Sequence, residues 1–217
     1  LSAIARKFNI PVDHFYDLIR GMEMDLGKTR YETFEELQEY CYLVASTVGL
    51  MCRQIFGYKN ESTREYAINL GIALQLTNIL RDLKDDAKRG RIYLPREDLR
   101  RFGYTEEDLL AGRYTPAFID LMRFECERAR QYFDAARNAL KDEDKYYFLL
   151  PASCGPSTLI CSAVLNGRTT MSSGTARVTS FPDWPRETEI LLGRCLFLQA
   201  AQARLDGLQI LVKSRKT

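Results

Sequence analysis

Asn78, Asp82 and Asp86 fall at intervals of four in "LQLTNILRDLKDD" (residues 74–86), a stretch that otherwise reads as a buried helix. At about 100° per residue, each lies roughly 40° from the last, on a stripe that Gln75 and Gly71 extend upstream. Ile68, Ile72, Leu76, Ile79, Leu80 and Leu83 fill the neighbouring arc. An unpartnered buried carboxylate costs on the order of several kcal/mol and takes up a proton instead. The stripe must therefore face water, cations or a metal. Oxygen ligands on successive turns suit Mg2+, which takes one or two carboxylates, keeps waters and binds phosphate oxygens. A simply solvated acidic helix end, with Arg81 and Asp85 as surface neighbours, accounts for the same spacing. D-x-x-x-D alone does not separate the two.

The residues just downstream tip the balance. "KRGRIYLP" (residues 88–95) places three cations and a phenol directly after the acids. Arg91 offers paired N–H donors to phosphate oxygens, and Tyr93 offers a hydroxyl. Acids for a metal beside donors for phosphate make a diphosphate site. Cations at a helix C-terminus, favoured by the macrodipole, are the plainer alternative.

Helical punctuation positions these groups. "TFEE" (residues 33–36) is a capping box, followed by an apolar face at Leu37, Cys41, Val44, Val48, Met51 and Ile55 that Gly57 ends. A second box, "STRE" (residues 62–65), opens the helix carrying the stripe, and Gly90 follows its end. A short helix starts at Thr105. Thr115 and Pro116 start another, with Phe118, Leu121, Met122, Ala129, Phe133, Ala136 and Leu140 inward. No alternating strand appears before Leu150, so this part is predicted all-α. Near Ser153 the chain turns to Ser, Thr, Gly and Pro, which divides it into a helical part (1–152) and a divergent segment (153–217), with a helical pattern returning over 187–211.

Bulk composition narrows the function classes. With 31 basic and 29 acidic residues the net charge is +2, which gives no general attraction to nucleic acid. Six cysteines without a C-x-x-C pair, and a single histidine, argue against a zinc site. Cys41, Cys52 and Cys126 sit in helical patterns as core or near-core residues, and a reducing, cytoplasmic setting fits them. No apolar run approaches the ~20 residues that span a bilayer, and no signal peptide is in view. The first residue is Leu, so the expectation is a chain that begins inside a longer protein.

Taken together, "LGIALQLTNILRDLKDDAKRGRIYLPREDL" closely resembles the second aspartate-rich region of the squalene/phytoene synthase family. Gln75, Asn78, Arg81, Asp82, Asp86, Gly90, Arg91, Tyr93 and Pro95 match in order and spacing. "YCYLVASTVGLM" (residues 40–51) is similar to a second family helix, with Ser46 for the usual Gly. "LIRGMEMDL" (residues 18–26) and "GYTEEDLLAGR" (residues 103–113) are also family-like. The resemblance covers residues 1–152.

That resemblance implies an isoprenoid-synthase-type helical bundle, incomplete at its N-terminus, around a deep apolar cavity. It assigns Asn78, Asp82 and Asp86 to Mg2+–diphosphate binding. Gln75, Arg81, Arg91 and Tyr93 would contact substrate diphosphate, and Tyr42 would line the reaction cavity. The implied reaction joins two prenyl diphosphates, farnesyl or geranylgeranyl, head to head into a cyclopropylcarbinyl diphosphate; a slight lean is to the fifteen-carbon branch. NADPH enters only if that product is reduced. Oily substrates imply work near a membrane surface. The family's earlier D-x-x-x-D has no counterpart before Tyr31, and Asp13, Asp17 and Asp25 have the wrong spacing for it. Half the metal site is then expected to be missing, leaving this chain alone inactive. A non-catalytic scaffold and a chain-elongating prenyl transferase or terpene cyclase are the competing readings. The first needs no stripe; "QLTNILR" and "GRIYLP" argue against the second.

Overall fold

Helix α5 (Thr63–Lys88), which carries the acidic stripe, packs most extensively against α8 (Pro116–Ala139). The computed structural model describes residues 2–145 and Phe148, all within one compact unit. The other helices are α1 (Ser2–Lys7), α2 (Asp13–Gly27), α3 (Phe34–Cys41), α4 (Thr47–Phe56), α6 (Arg96–Arg101), α7 (Glu106–Leu110) and α9 (Asp142–Lys145), with a π-turn at Tyr42–Ser46 between α3 and α4. No strand occurs among the described residues, in line with the all-α prediction. The predicted segment 153–217, with its helical pattern over 187–211, lies outside the described residues.

The α5–α8 seam is apolar because both helices carry their large side chains on one side. Ile72, Leu76 and Ile79 of α5 join Leu121, Met122, Cys126 and Ala129 of α8 in one buried cluster with Leu37, Ile92, Leu94 and Leu99. Burying each Leu, Ile or Met contributes roughly 1.5–3 kcal/mol. Cys41 and Cys126 are buried and Cys52 is half-buried, as the sequence predicts.

The helix starts obey the predicted signals with two corrections, at Thr33 and at Ser62. Thr115 Oγ1 accepts from the Phe118 N–H at 3.2 Å, ahead of Pro116. Thr105 and Asp108 form a complete capping box. At Thr33 half a box forms: its hydroxyl accepts from Glu36 N–H, but the Glu36 carboxylate reaches the Glu32 N–H instead. The box predicted at Ser62 does not form. Ser62 has helical backbone angles and its Oγ is buried without a partner among the described residues. Thr63 holds that end, donating to the Asn60 carbonyl and accepting from buried Arg53, each at 2.7 Å. Asp144 of α9 then clasps the α4–α5 loop, accepting from the N–H groups of Lys59 (2.6 Å) and Asn60 (3.1 Å) and from Asn60 Nδ2 (2.7 Å).

The predicted unbroken helix over 33–57 is also corrected. In the π-turn the Thr47 N–H donates to the Tyr42 carbonyl, five residues back. The Leu43 carbonyl, which an α-helix would give to that N–H, takes the Thr47 hydroxyl at 2.6 Å. The extra residue rotates the faces of α4. Leu43, Ser46, Thr47, Leu50 and Arg53 are buried, whereas the predicted inward residues Val44, Val48 and Met51 are half-buried and Ile55 is exposed.

Candidate active site

On α5 the predicted stripe exists as one graded surface. Gly71 is buried, and Gln75, Asn78, Asp82 and Asp86 are half-buried, between core and solvent. Arg81 grips its neighbour Asp82 through Nε–Oδ1 (2.8 Å) and Nη2–Oδ2 (2.5 Å). Asp85 is exposed and pairs with Lys88 at 2.8 Å, so it stands outside the stripe. Burial, and then the charge of Asp82, push the Asp86 carboxyl up to about 6; Arg89 and Arg91 oppose the shift.

Gly90 turns the chain out of α5 with φ +79°, a left-handed conformation that glycine adopts without strain. The Asp86 carbonyl collects the N–H groups of Arg89 (3.0 Å) and Arg91 (2.9 Å). The extended segment beyond is tied to the loop after α2 by Ile92 N–H to the Thr29 carbonyl (3.1 Å) and Arg96 N–H to the Tyr31 carbonyl (2.9 Å). This return carries Arg91 and Tyr93 to the C-terminal end of α2.

Waiting there is Asp25, only 5% exposed. Its Oδ1 accepts from the Tyr93 hydroxyl and its Oδ2 from the Tyr40 hydroxyl, each at 3.0 Å. Arg91 Nη2 donates to the Asp25 backbone carbonyl at 3.1 Å. The rings of Tyr31, Tyr40 and Tyr93 stack or tilt together with centroids 5.4–5.8 Å apart. Burial, with the charge of Asp25 adding to it, pushes all three phenols upward, so they stay protonated at neutral pH. Arg91 joins the two, its backbone N–H donating to the Asp86 carbonyl at 2.9 Å and its Nη2 to the Asp25 carbonyl at 3.1 Å, which sets the α2 cluster beside the end of the α5 stripe.

Sequence reasoning finds the α5 stripe, Arg91 and Tyr93 but passes over Asp25, Tyr31 and Tyr40. Asp25 has no D-x-x-x-D partner and so does not stand out. The available signal is Gly21 and Asp25 one turn apart on the face of α2 that also carries His14, Asp17 and Leu18. Tyr42 and Gln75 are half-buried. Cavities of about 330 Å³ beside Arg96, Arg100 and Tyr104, and about 340 Å³ beside Phe34, Arg128 and Tyr132, include no residue of the stripe. Neither is the cavity that the resemblance implies.

Among the described residues, no three His, Cys, Asp or Glu side chains converge to enclose a metal. Two carboxylates and an amide on one half-buried helix face form an open, one-sided oxygen set. That donor chemistry fits Mg2+, which fills its remaining positions with water and phosphate oxygen.

An all-helical bundle bearing such a stripe defines an isoprenoid-synthase-type domain. The chain belongs to the squalene/phytoene synthase family, whose model matches residues 1–166. It is 47% identical over 146 residues to the 15-cis-phytoene synthase of Synechocystis sp., covering 62% of this chain and 43% of that one. With phytoene synthase 2, chloroplastic, of Solanum lycopersicum the identity is 44% over 148 residues, covering 65% and 48%. Among solved structures, the squalene synthase HpnC of Alicyclobacillus acidocaldarius superposes with a TM-score of 0.65 at 30% identity, covering 76% of this chain and 63% of that one. A dehydrosqualene synthase in complex with ligand gives 0.68 at 25% identity, covering 92% and 70%. The chain spans less than half the length of these two curated relatives.

Proposed function

We propose that this chain supplies the diphosphate-gripping part of a head-to-head prenyl transferase. The observation that carries the reading is the half-buried stripe of Asn78, Asp82 and Asp86, with Arg91 and the Asp25–tyrosine cluster beside it. In this reading Asn78, Asp82 and Asp86 hold Mg2+, which when bound neutralises the diphosphate leaving group. Arg81 and Arg91 donate to diphosphate oxygens, with Gln75 and Tyr93 as further contacts. The allylic C–O bond breaks with its electron pair leaving on the diphosphate. The double bond of a second prenyl diphosphate attacks the resulting cation, and loss of a proton closes a cyclopropane. Tyr42 and the apolar wall beside it exclude water from the cation.

The sequence leans to fifteen-carbon substrates. The names and higher identities of the curated relatives favour the twenty-carbon, phytoene branch instead. NADPH enters only if the cyclopropyl product is reduced. Among the described residues no helix is long and apolar enough to cross a membrane. The oiliness of the substrates is what supports peripheral contact with a membrane, on the cytoplasmic side in this reading.

Calorimetry with inorganic pyrophosphate tests the reading. Mg2+-dependent binding is expected, and Asn78→Ala, Asp82→Ala or Asp86→Ala should each weaken it at least ten-fold. Absence of binding by the folded chain, or unchanged affinity in the folded variants, would favour a non-catalytic scaffold.

A further inference from the structure

The π-turn at Tyr42–Ser46 sits against both elements that carry the site, α2 and α5. On the α2 side it meets Gly21: a Cβ there would stand 2.8 Å from Leu43 Cβ and 2.8 Å from Val44 Cγ1. On the α5 side it meets Gly71, where a Cβ would stand 2.5 Å from Ser46 Cα and 2.6 Å from Ser46 N. The close approach that Gly71 permits is thus to the backbone of the turn. The contact is pinned by Ser46 Oγ, which donates to the Ile68 carbonyl of α5 at 2.8 Å, and by the Thr47 hydroxyl on the Leu43 carbonyl. Ser46 and Thr47 are fully buried.

Each glycine leads directly to the acids. Asp25 lies one turn beyond Gly21 on α2. Gln75, Asn78, Asp82 and Asp86 continue the stripe beyond Gly71 on α5. A π-turn gives up the regular hydrogen-bond ladder and persists only where its surroundings determine it, often at functional sites. Here two glycines, a serine and a threonine do so.

We propose that the π-turn is a spacer: its thickness, set by bare backbone at Gly21 and Gly71, fixes the gap across which Asp25 and the Tyr40–Tyr93 cluster face Asp82 and Asp86. Ser46, Thr47, Gly21 and Gly71 are positioning residues in this account. The proposal rests on the diphosphate reading for its functional consequence, but its geometric claim stands apart from it.

Gly71→Ala and Thr47→Val test the spacer, with Thr47→Ser to restore the hydroxyl and Gly27→Ala as the control. Gly27 ends α2 with open space where a Cβ would stand. In folded samples, checked by circular dichroism, Gly71→Ala and Thr47→Val should weaken Mg2+-dependent binding of inorganic pyrophosphate at least five-fold. Thr47→Ser and Gly27→Ala should keep it. Wild-type affinity in Thr47→Val, or equal loss in Gly27→Ala, overturns the proposal. If Gly71→Ala fails to fold, Thr47→Val against Thr47→Ser decides. If the wild-type chain does not bind pyrophosphate, the diphosphate reading fails on its own, and crystal structures of wild type and Thr47→Val decide the spacer: a changed Asp25–Asp86 separation supports it, an unchanged one refutes it.

Discussion

Asp25 and Tyr93, 68 residues apart in sequence, are joined by a 3.0 Å hydrogen bond that closes the end of α2 onto the segment after α5. Tyr40 donates to the other oxygen of the same carboxylate. Removing one donor from a buried, charged acceptor costs about 1–3 kcal/mol. Tyr93→Phe and Tyr40→Phe should each destabilise by about that amount in urea unfolding. Their effects should fail to add in the double variant, because they share one acceptor.

Asp86 gives two opposed pH responses. Its folded-state value, about 6, lies above its ordinary 3.8, so the folded chain binds the proton more tightly than the unfolded one. Stability without metal should therefore rise as pH falls from 7 towards 5. Mg2+-dependent pyrophosphate binding should weaken over the same window, since protons compete with the cation for the carboxylate. Asp86→Asn should abolish the Asp86 part of the stability slope; denaturation midpoints and calorimetry across pH 5–8 check both.

Glu125 in α8 is 2% exposed, and its Oε1 has no partner among the described residues. Its Oε2 accepts from Arg128, which also donates to buried Asp98 at 2.8 and 3.3 Å. Burial pushes the Glu125 carboxyl well up from its usual range. Glu125→Gln should then cost less than about 1 kcal/mol. Arg128→Ala, which strips the cation from buried Asp98, should cost about 3–5 kcal/mol. Stability of the wild type should decline as pH rises above the ordinary glutamate value of 4.5, and Glu125→Gln should flatten that decline.

Gly90 adopts φ +79° with open space where a Cβ would stand. Gly90→Ala therefore meets backbone strain without a clash and should cost about 1–2 kcal/mol; Gly90→Asn should cost less. Thermal unfolding of the two variants checks the order.

The features legible in the sequence are periodic or punctuated. The stripe on α5, the starts at Thr105 and Thr115 and the α8 face are all set by residues within a few turns of each other. The features it hides are set by tertiary contact. The π-turn leaves no local mark in "CYLVASTV"; it depends on a glycine in α2 and another in α5 that are remote in sequence. Ser62 has the right chemistry for a cap, but the carbonyls of Asn60 and Glu61 in the preceding turn take the first N–H groups, of Thr63 and Arg64, and the Thr63 hydroxyl ties the turn to Arg53. Asp25 looks like an isolated acid until Tyr40 and Tyr93 arrive from two other segments.

The clasp of Asp144 on the backbone of Lys59 and Asn60 has a practical bearing on truncation. The four-residue α9 holds the threshold of the long helix that bears the acids, about five turns upstream of Asp82. A fragment trimmed back to Ala139 would keep every acid of the stripe, yet would lose the latch that stops that threshold from unravelling. Proteolytic nicking near Asn60 would be its first symptom.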